Sequence, residues 1–265
     1  MMKLDMGAAW NTATSLIGRN RDVVLVVAGV FFFLPSLAIS LIMPEAAAMP
    51  IAESGDTEAM MSFMMSLYAD YWWAILLSGV AQAIGTLALL MLLTDRMQPT
   101  VGEALKRGAL SFPSYFVANL LVVFAIAIPV ALAMVASPLA IFLVMPIAIY
   151  LAIRFSLIMP AIAIDRILNP LGVLSRSWEL TKRNSLRLFV FYALLFVATV
   201  VIFALVSMVL GVVFAAMGDE IEKIGNAVVS SAISAGFVVI FFAVLAGVHR
   251  QLAGDRPEEP AEIIE

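Results

Sequence analysis

Between Arg107 and Arg154 the chain reads GALSFPSYFVANLLVVFAIAIPVALAMVASPLAIFLVMPIAIYLAI (residues 108–153), 46 residues without a charged side chain. An α-helix rises about 1.5 Å per residue and the hydrocarbon layer is roughly 30 Å thick, so about 20 such residues make one crossing. This run is too long for a single crossing, and Ala136-Ser137-Pro138 near its middle is a turn signal. It reads as a transmembrane hairpin with spans over about 112–135 and 138–164.

Working outward, four more charge-poor runs have the length of one crossing. They place spans at about 23–43, 71–94, 188–217 and 225–248. The expected fold is therefore all-α, a polytopic membrane protein with six transmembrane helices and cytoplasmic amphipathic helices. Composition agrees: 63% of the 265 residues are hydrophobic and 13% charged, against roughly 45–50% and 25% in soluble domains. A mean hydropathy of +1.07 is more apolar surface than a soluble core of this size can hide. These values exclude a secreted soluble domain and a nucleic-acid binder with a basic face. With no cysteine, disulfides, thiolate metal sites and cysteine nucleophiles are absent too.

Charge placement orients the spans, because cytoplasmic loops are enriched in Lys and Arg. The stretch from Pro44 to Asp70 carries five acids and no base, and 218–226 has only Lys223 against three acids. The remaining basic residues fall in the N-terminal arm, in 95–107, in 154–187 and at the C-terminal end, so both termini are expected in the cytoplasm. Arg19 and Arg21 before an apolar run, with Ala46-Ala47-Ala48 beyond it, imitate a signal peptide. The run is 21 residues long, beyond the usual 7–15, so an uncleaved first span is expected. Residues 254–265, with two prolines and five acids, read as a disordered acidic tail.

Each stretch preceding an odd-numbered span has amphipathic spacing: Leu4 to Asn20, Thr100 to Leu110 and Pro170 to Asn184. Thr100-Val101-Gly102-Glu103 is a capping-box pattern. Asn169 suits an N-cap and Pro170 a first helical turn, where its missing N–H is not needed. In the last stretch Leu171, Val173, Leu174, Trp178 and Leu180 share one half, and Ser175, Arg176, Glu179, Lys182 and Arg183 the other. Such a helix is expected at the membrane surface with Trp178 at headgroup depth. Leu16, Arg19, Asn20 and Val26 align without gaps on Leu180, Arg183, Asn184 and Val190, and Leu105-Lys106-Arg107 resembles the same basic stop. Three helix-plus-hairpin units are the organisation this suggests. A further short helix, Asp56 to Tyr68, is expected on the outer side before the aromatic Tyr71-Trp72-Trp73.

Charges within or beside the spans are the candidates for function. Arg154, if span four continues to Ile164, lies deep; if the helix breaks near Pro146 or Pro160, it snorkels to the headgroups. Arg166, Arg176, Lys182, Arg183 and Arg187 could meet lipid phosphates, each worth roughly 1 kcal/mol, or could serve only to orient the spans. Glu179 and Arg183 have the spacing of a local ion pair. Gln82 and Asn119 are the intramembrane polar candidates, either as interhelical glue or as a transport path. Met49, Met60, Met61, Met64 and Met65 are better explained as an apolar face than as Cu(I) ligands, since neither His nor Cys accompanies them. His249, the only histidine, is expected where span six meets the cytoplasm. Gly79, Ala83, Ser230, Ser231, Ser234, Ala235 and Gly236 are small residues suited to close helix approach. Paired intramembrane carboxylates, a Ser-His-Asp set and a phosphate-cradling glycine loop are all absent from the pattern, so no enzyme, cofactor or metal is expected.

The stretch from Tyr150 to Leu194 resembles the YciC-like bacterial inner-membrane proteins and the related membrane domain of some glycerophosphodiester phosphodiesterases. The resemblance is carried by Tyr150-Leu151-Ala152-Ile153-Arg154-Phe155, by Pro160 and Asp165, and by Arg176-Ser177-Trp178-Glu179-Leu180-Thr181. The layout, including the long first outer loop and Ala104-Leu105 before Pro113, is similar over most of the chain. It implies a six-span inner-membrane protein with no established activity. The expected function is non-enzymatic: binding or organising membrane lipids, anionic ones included, through basic cytoplasmic helices, as a homo-oligomer or beside another membrane protein. The alternative is a small transporter with a polar path near Gln82, Asn119 and Arg154.

Overall fold

The computed structural model describes residues 3–43, 57–95, 98–137 and 139–254. Among these the chain is helical and no strand occurs. Helix α1 spans Met6–Arg19, and α2 (Arg21–Ala28), a π turn (Gly29–Phe33) and α3 (Leu34–Ile42) follow in sequence. Then come α4 (Thr57–Thr94), α5 (Val101–Ala136), α6 (Ala140–Arg154), α7 (Ile158–Ala163), α8 (Pro170–Thr181), α9 (Ser185–Ala215) and α10 (Asp219–Ala253). Six segments are long and apolar enough to cross a membrane: Arg21–Ile42, Met60–Thr94, Val101–Ala136, Ala140–Ala163, Ser185–Ala215 and Glu220–Ala253. Each contains or overlaps one expected span. The acidic tail lies outside the described residues from 255 on, as do Met49 and Asp56.

Local chemistry explains the irregular first span. Pro35 in the first turn of α3 has no N–H and crowds the carbonyl four residues back, and the widened π turn before it relieves that crowding. The expected outer helix differs from the observed one. Residues 57–68 are helical but run without a break into span two as one 38-residue helix, because nothing between Tyr68 and Trp73 is a helix breaker.

The chain forms two compact units. Unit 1 comprises Met1–Arg21, Leu87–Phe196 and Ile240–Glu265, and unit 2 comprises Asp22–Thr86 and Val197–Val239. In unit 1, α5 packs against α6, α7 and α8, and α8 packs against α6 and α7. Every residue of α7 is buried, as are Leu87, Ala88, Leu89, Leu90 and Met91 in succession, so these segments are covered on all sides. In unit 2, Val24, Val27, Phe32 and Ser231 are buried. A Cβ built on Gly85 would lie 2.4 Å from the Phe31 Cβ. Outward-facing residues remain apolar, including Phe142, Leu143, Phe196 and Met208, which suits a lipid-facing surface. Among the described residues every Lys and Arg except Lys223 belongs to unit 1.

The three helices expected before the odd-numbered spans share a capping pattern. Asp5 Oδ1 accepts from the Ala8 N–H at 3.0 Å, Thr100 Oγ1 from Glu103 N–H at 3.3 Å, and Asn169 Oδ1 from Leu171 N–H at 3.0 Å. At Thr100 the reciprocal bond from its own N–H to Glu103 Oε2 completes the capping box. The fourth, eighth and eleventh residues after each cap are buried: Ala9, Ala13 and Leu16; Ala104, Gly108 and Ser111; Val173, Ser177 and Leu180. The first and third helices then end alike, with Asn20 N–H donating to Ile17 O and Asn184 N–H to Thr181 O, both at 3.1 Å. The middle helix departs from the expectation. It runs on through Pro113 as part of α5, so Leu105-Lys106-Arg107 is no stop, and the equivalent of the turn is a proline inside a continuous helix.

The sites of close helix approach also differ from the expected ones. A Cβ on Gly79 or Gly236 meets nothing within 4 Å, whereas one on Gly247 would stand 2.6 Å from the Ala9 carbonyl oxygen. Close approach is therefore made at Gly85 and Gly247. Ala83, Ser231 and Ala235 are buried as packing residues.

Candidate functional site

Helix α6 ends at Arg154, and Phe155 to Leu157 form a turn before α7. Span four thus breaks directly after the arginine, not at Pro146 or Pro160. A break inside an apolar segment strands backbone groups that lipid cannot satisfy, and α8 supplies the missing partners. Ser177 Oγ donates to Arg154 O at 2.9 Å and accepts from Leu157 N–H at 3.2 Å. Thr181 Oγ1 also meets Arg154 O, at 3.1 Å. Ser177 and Thr181 therefore lie on the buried face of α8, while Leu171 is exposed and Trp178 partly so. The apolar half read from spacing is shifted because two hydroxyls are needed inward.

The Arg154 side chain, 2% exposed, lies among rings. Its guanidinium carbon is 3.9 Å from the Trp178 ring centroid and 5.8 Å from that of Tyr150. Tyr150 and Phe155 themselves pack on Trp178, at 6.1 and 5.6 Å between centroids. Ring faces and the C-terminal end of α6 stabilise the cation, and its Nε has no hydrogen-bond partner among the described residues.

Two carboxylates just beyond span ends hold three further arginines. Asp165 Oδ2 receives Arg176 Nε at 2.7 Å and lies 3.1 Å from His249 Nε2. Burial alone would raise the Asp165 carboxyl; the hydrogen bonds and charges of His249 and Arg176 outweigh it and hold the group below its ordinary value. His249 lies near the end of α10 and is wholly buried. Asp95 Oδ2 takes Arg166 NH2 at 3.0 Å and Arg107 NH1 at 3.2 Å. Arg166 adopts a left-handed backbone, φ 56°, and beside it Ser114 Oγ donates to Leu168 O.

Arg187 donates to Leu4 O at 3.0 Å while Leu4 N–H donates to Asn184 Oδ1 at 3.0 Å, strapping the N-terminal arm to the α8–α9 turn. Lys182 and Arg183 stand exposed on that turn. The expected Glu179–Arg183 pair does not form, because α8 ends at Thr181 and Arg183 sits off the helix at φ 67°. Gln82 donates to Ser78 Oγ one turn earlier in its own helix, at 2.8 Å, and Asn119 is exposed on α5. Met60, Met61 and Met65 are exposed on α4, and among the described residues no group of three His, Cys, Asp or Glu side chains gathers as a metal site.

Of the candidates read from sequence, Arg166, Arg176 and Arg187 are bonded within unit 1, Arg154 is enclosed by rings, and Lys182 and Arg183 face outward. Asp95, Asp165, Ser177 and Thr181 were not singled out as site residues. Their signal was present as a lone carboxylate after each of spans two and four, but spacing does not say which arginine each will meet.

Six long apolar helices define a multi-pass α-helical membrane protein. Residues 132–249 match the model of the membrane domain of glycerophosphoryl diester phosphodiesterase, the relation that Tyr150 to Leu194 already suggested. The match takes in Arg154, Asp165, Ser177, Trp178 and His249, and leaves Asp95 and Arg107 outside. No curated protein and no solved structure matches the chain.

Proposed function

We propose that the protein is a non-enzymatic membrane protein that binds anionic lipid headgroups on the basic face of unit 1, with that face and both termini in the cytoplasm of a bacterial inner membrane. The observation that carries this reading is the α8–α9 turn. Lys182 and Arg183 are exposed there, and Arg183 is held off the helix by a left-handed backbone. Nearby, Arg176 and Arg187 are bonded to Asp165 and to the Leu4 carbonyl, whereas these two side chains are exposed and open to phosphate. Clustered cations beside an apolar bundle attract anionic headgroups by roughly 1 kcal/mol each. The concentration of basic residues in unit 1 supports the orientation. Gln82 donates to Ser78 within its own helix and Asn119 is exposed on α5, and neither observation favours a transport path.

Native mass spectrometry of the detergent-purified protein tests the reading. Phosphatidylglycerol should be retained in preference to phosphatidylcholine, and Lys182→Ala/Arg183→Ala should lower that preference. Equal retention of both lipids by the wild type overturns it. The same spectra report whether the protein is a homo-oligomer.

A further inference from the structure

We infer that a second site in unit 1, the cleft headed by Arg107 and Arg166, holds one anionic phospholipid, its phosphate on the two guanidinia and the start of an acyl chain along Leu110, Ile162 and Leu168. This rests on the lipid-binding reading above and gives it a built site away from the α8–α9 turn. The cleft is open to the outside and offers about 240 Å³, enough for a headgroup and the first carbons of a chain. Its two arginines converge on one oxygen of Asp95. A guanidinium has five N–H donors, and Asp95 takes one from each, so the remaining donors are available to a second anion. Asp95, mostly buried, neutralises one of the two charges and fixes both side chains in place, leaving a net positive mouth. The left-handed backbone of Arg166 turns the chain at the end of α7.

The remaining wall is apolar, which selects among anions. Ile162 forms the buried floor, and Leu110 and Leu168 stand exposed beside the arginines. Inorganic phosphate would leave this wall bare, whereas a phospholipid places phosphate and hydrocarbon on adjoining surfaces and lets the chain continue over Leu110 into the bilayer. A zwitterionic headgroup would bring its own cation to a mouth that is already positive.

The test is native mass spectrometry of the full chain with added phosphatidylglycerol, phosphatidylcholine or sodium phosphate. It compares wild type, Arg107→Gln/Arg166→Gln, Leu110→Trp and Lys182→Ala/Arg183→Ala. Phosphatidylglycerol should bind about thirtyfold more weakly to Arg107→Gln/Arg166→Gln and more weakly to Leu110→Trp, which keeps every charge and alters only an exposed wall residue. One phosphatidylglycerol should persist in Lys182→Ala/Arg183→Ala, and millimolar phosphate should not displace it. Undiminished binding by Leu110→Trp, or displacement by phosphate alone, overturns the assignment. If Arg107→Gln/Arg166→Gln and Leu110→Trp both match a wild type that still prefers phosphatidylglycerol, this site fails and the broader reading stands. If the wild type shows no preference, both fail.

Discussion

The guanidinium carbon of Arg154 lies 3.9 Å from the centre of the Trp178 ring, joining the last residue of α6 to the middle of α8. A charge this enclosed is costly unless something compensates it, and here the compensation is a ring face. Trp178→Leu is expected to destabilise the protein by about 2 kcal/mol, by removing ring area and leaving the cation uncompensated. Arg154→Met should be milder, and the double variant should cost less than the two single losses added. Thermal unfolding in detergent across the four-variant cycle reads the coupling, and strict additivity would contradict the contact.

Ser177 bridges the helix break, its Oγ accepting from the Leu157 N–H and donating a hydrogen bond to Arg154 O. Ser177→Ala orphans the Leu157 donor and should cost about 1–3 kcal/mol, the usual penalty for a buried unmet backbone group. Thr181→Val should cost less, because Ser177 still serves the Arg154 carbonyl. Ranking the two melting temperatures checks this, and the reverse order would count against the bridge.

Asp165 gives a pH dependence of known sign. Its carboxyl is held below the ordinary 3.8 in the folded protein, so the stability it contributes is complete above that value and is lost as pH falls through the folded one. Asp165→Asn should therefore be less stable than wild type at neutral pH, with the gap closing below about pH 4. Melting curves for the pair from pH 7 to pH 3 decide the matter, and a gap that widens in acid would refute it.

Two glycines of α10 should respond oppositely to alanine. At Gly247 a Cβ would press on the backbone carbonyl of Ala9 at 2.6 Å, and backbone cannot step aside cheaply, so Gly247→Ala should cost about 1–3 kcal/mol. At Gly236 nothing lies within 4 Å, and Gly236→Ala should be neutral or stabilising by up to about 1 kcal/mol through helix propensity. The comparison needs only the two melting temperatures.

What the sequence revealed follows from which interactions are local. The 46 uncharged residues between Arg107 and Arg154 have one physical solution in lipid, so the hairpin was legible, and so were the caps at Thr100 and Asn169, whose partners lie within three residues. Asp95 and Asp165 were not: each takes one partner 12 or 11 residues on, on the next helix, and a second 71 or 84 residues away that only packing brings near. Ser177 was placed by no periodicity: its inward turn depends on a helix break in another element. Gly79 and Gly236 misled for the same reason, because small size permits close approach without saying which neighbour arrives.

The most direct test of lipid binding is the melting temperature of the full chain in detergent, titrated with phosphatidylglycerol and, separately, with phosphatidylcholine. A ligand that binds the folded state raises Tm with its concentration. The expected result is a rise with phosphatidylglycerol that exceeds any rise with phosphatidylcholine and shrinks when Arg107, Arg166, Lys182 and Arg183 are all neutralised. Identical curves for the two lipids in the wild type would contradict the proposed function.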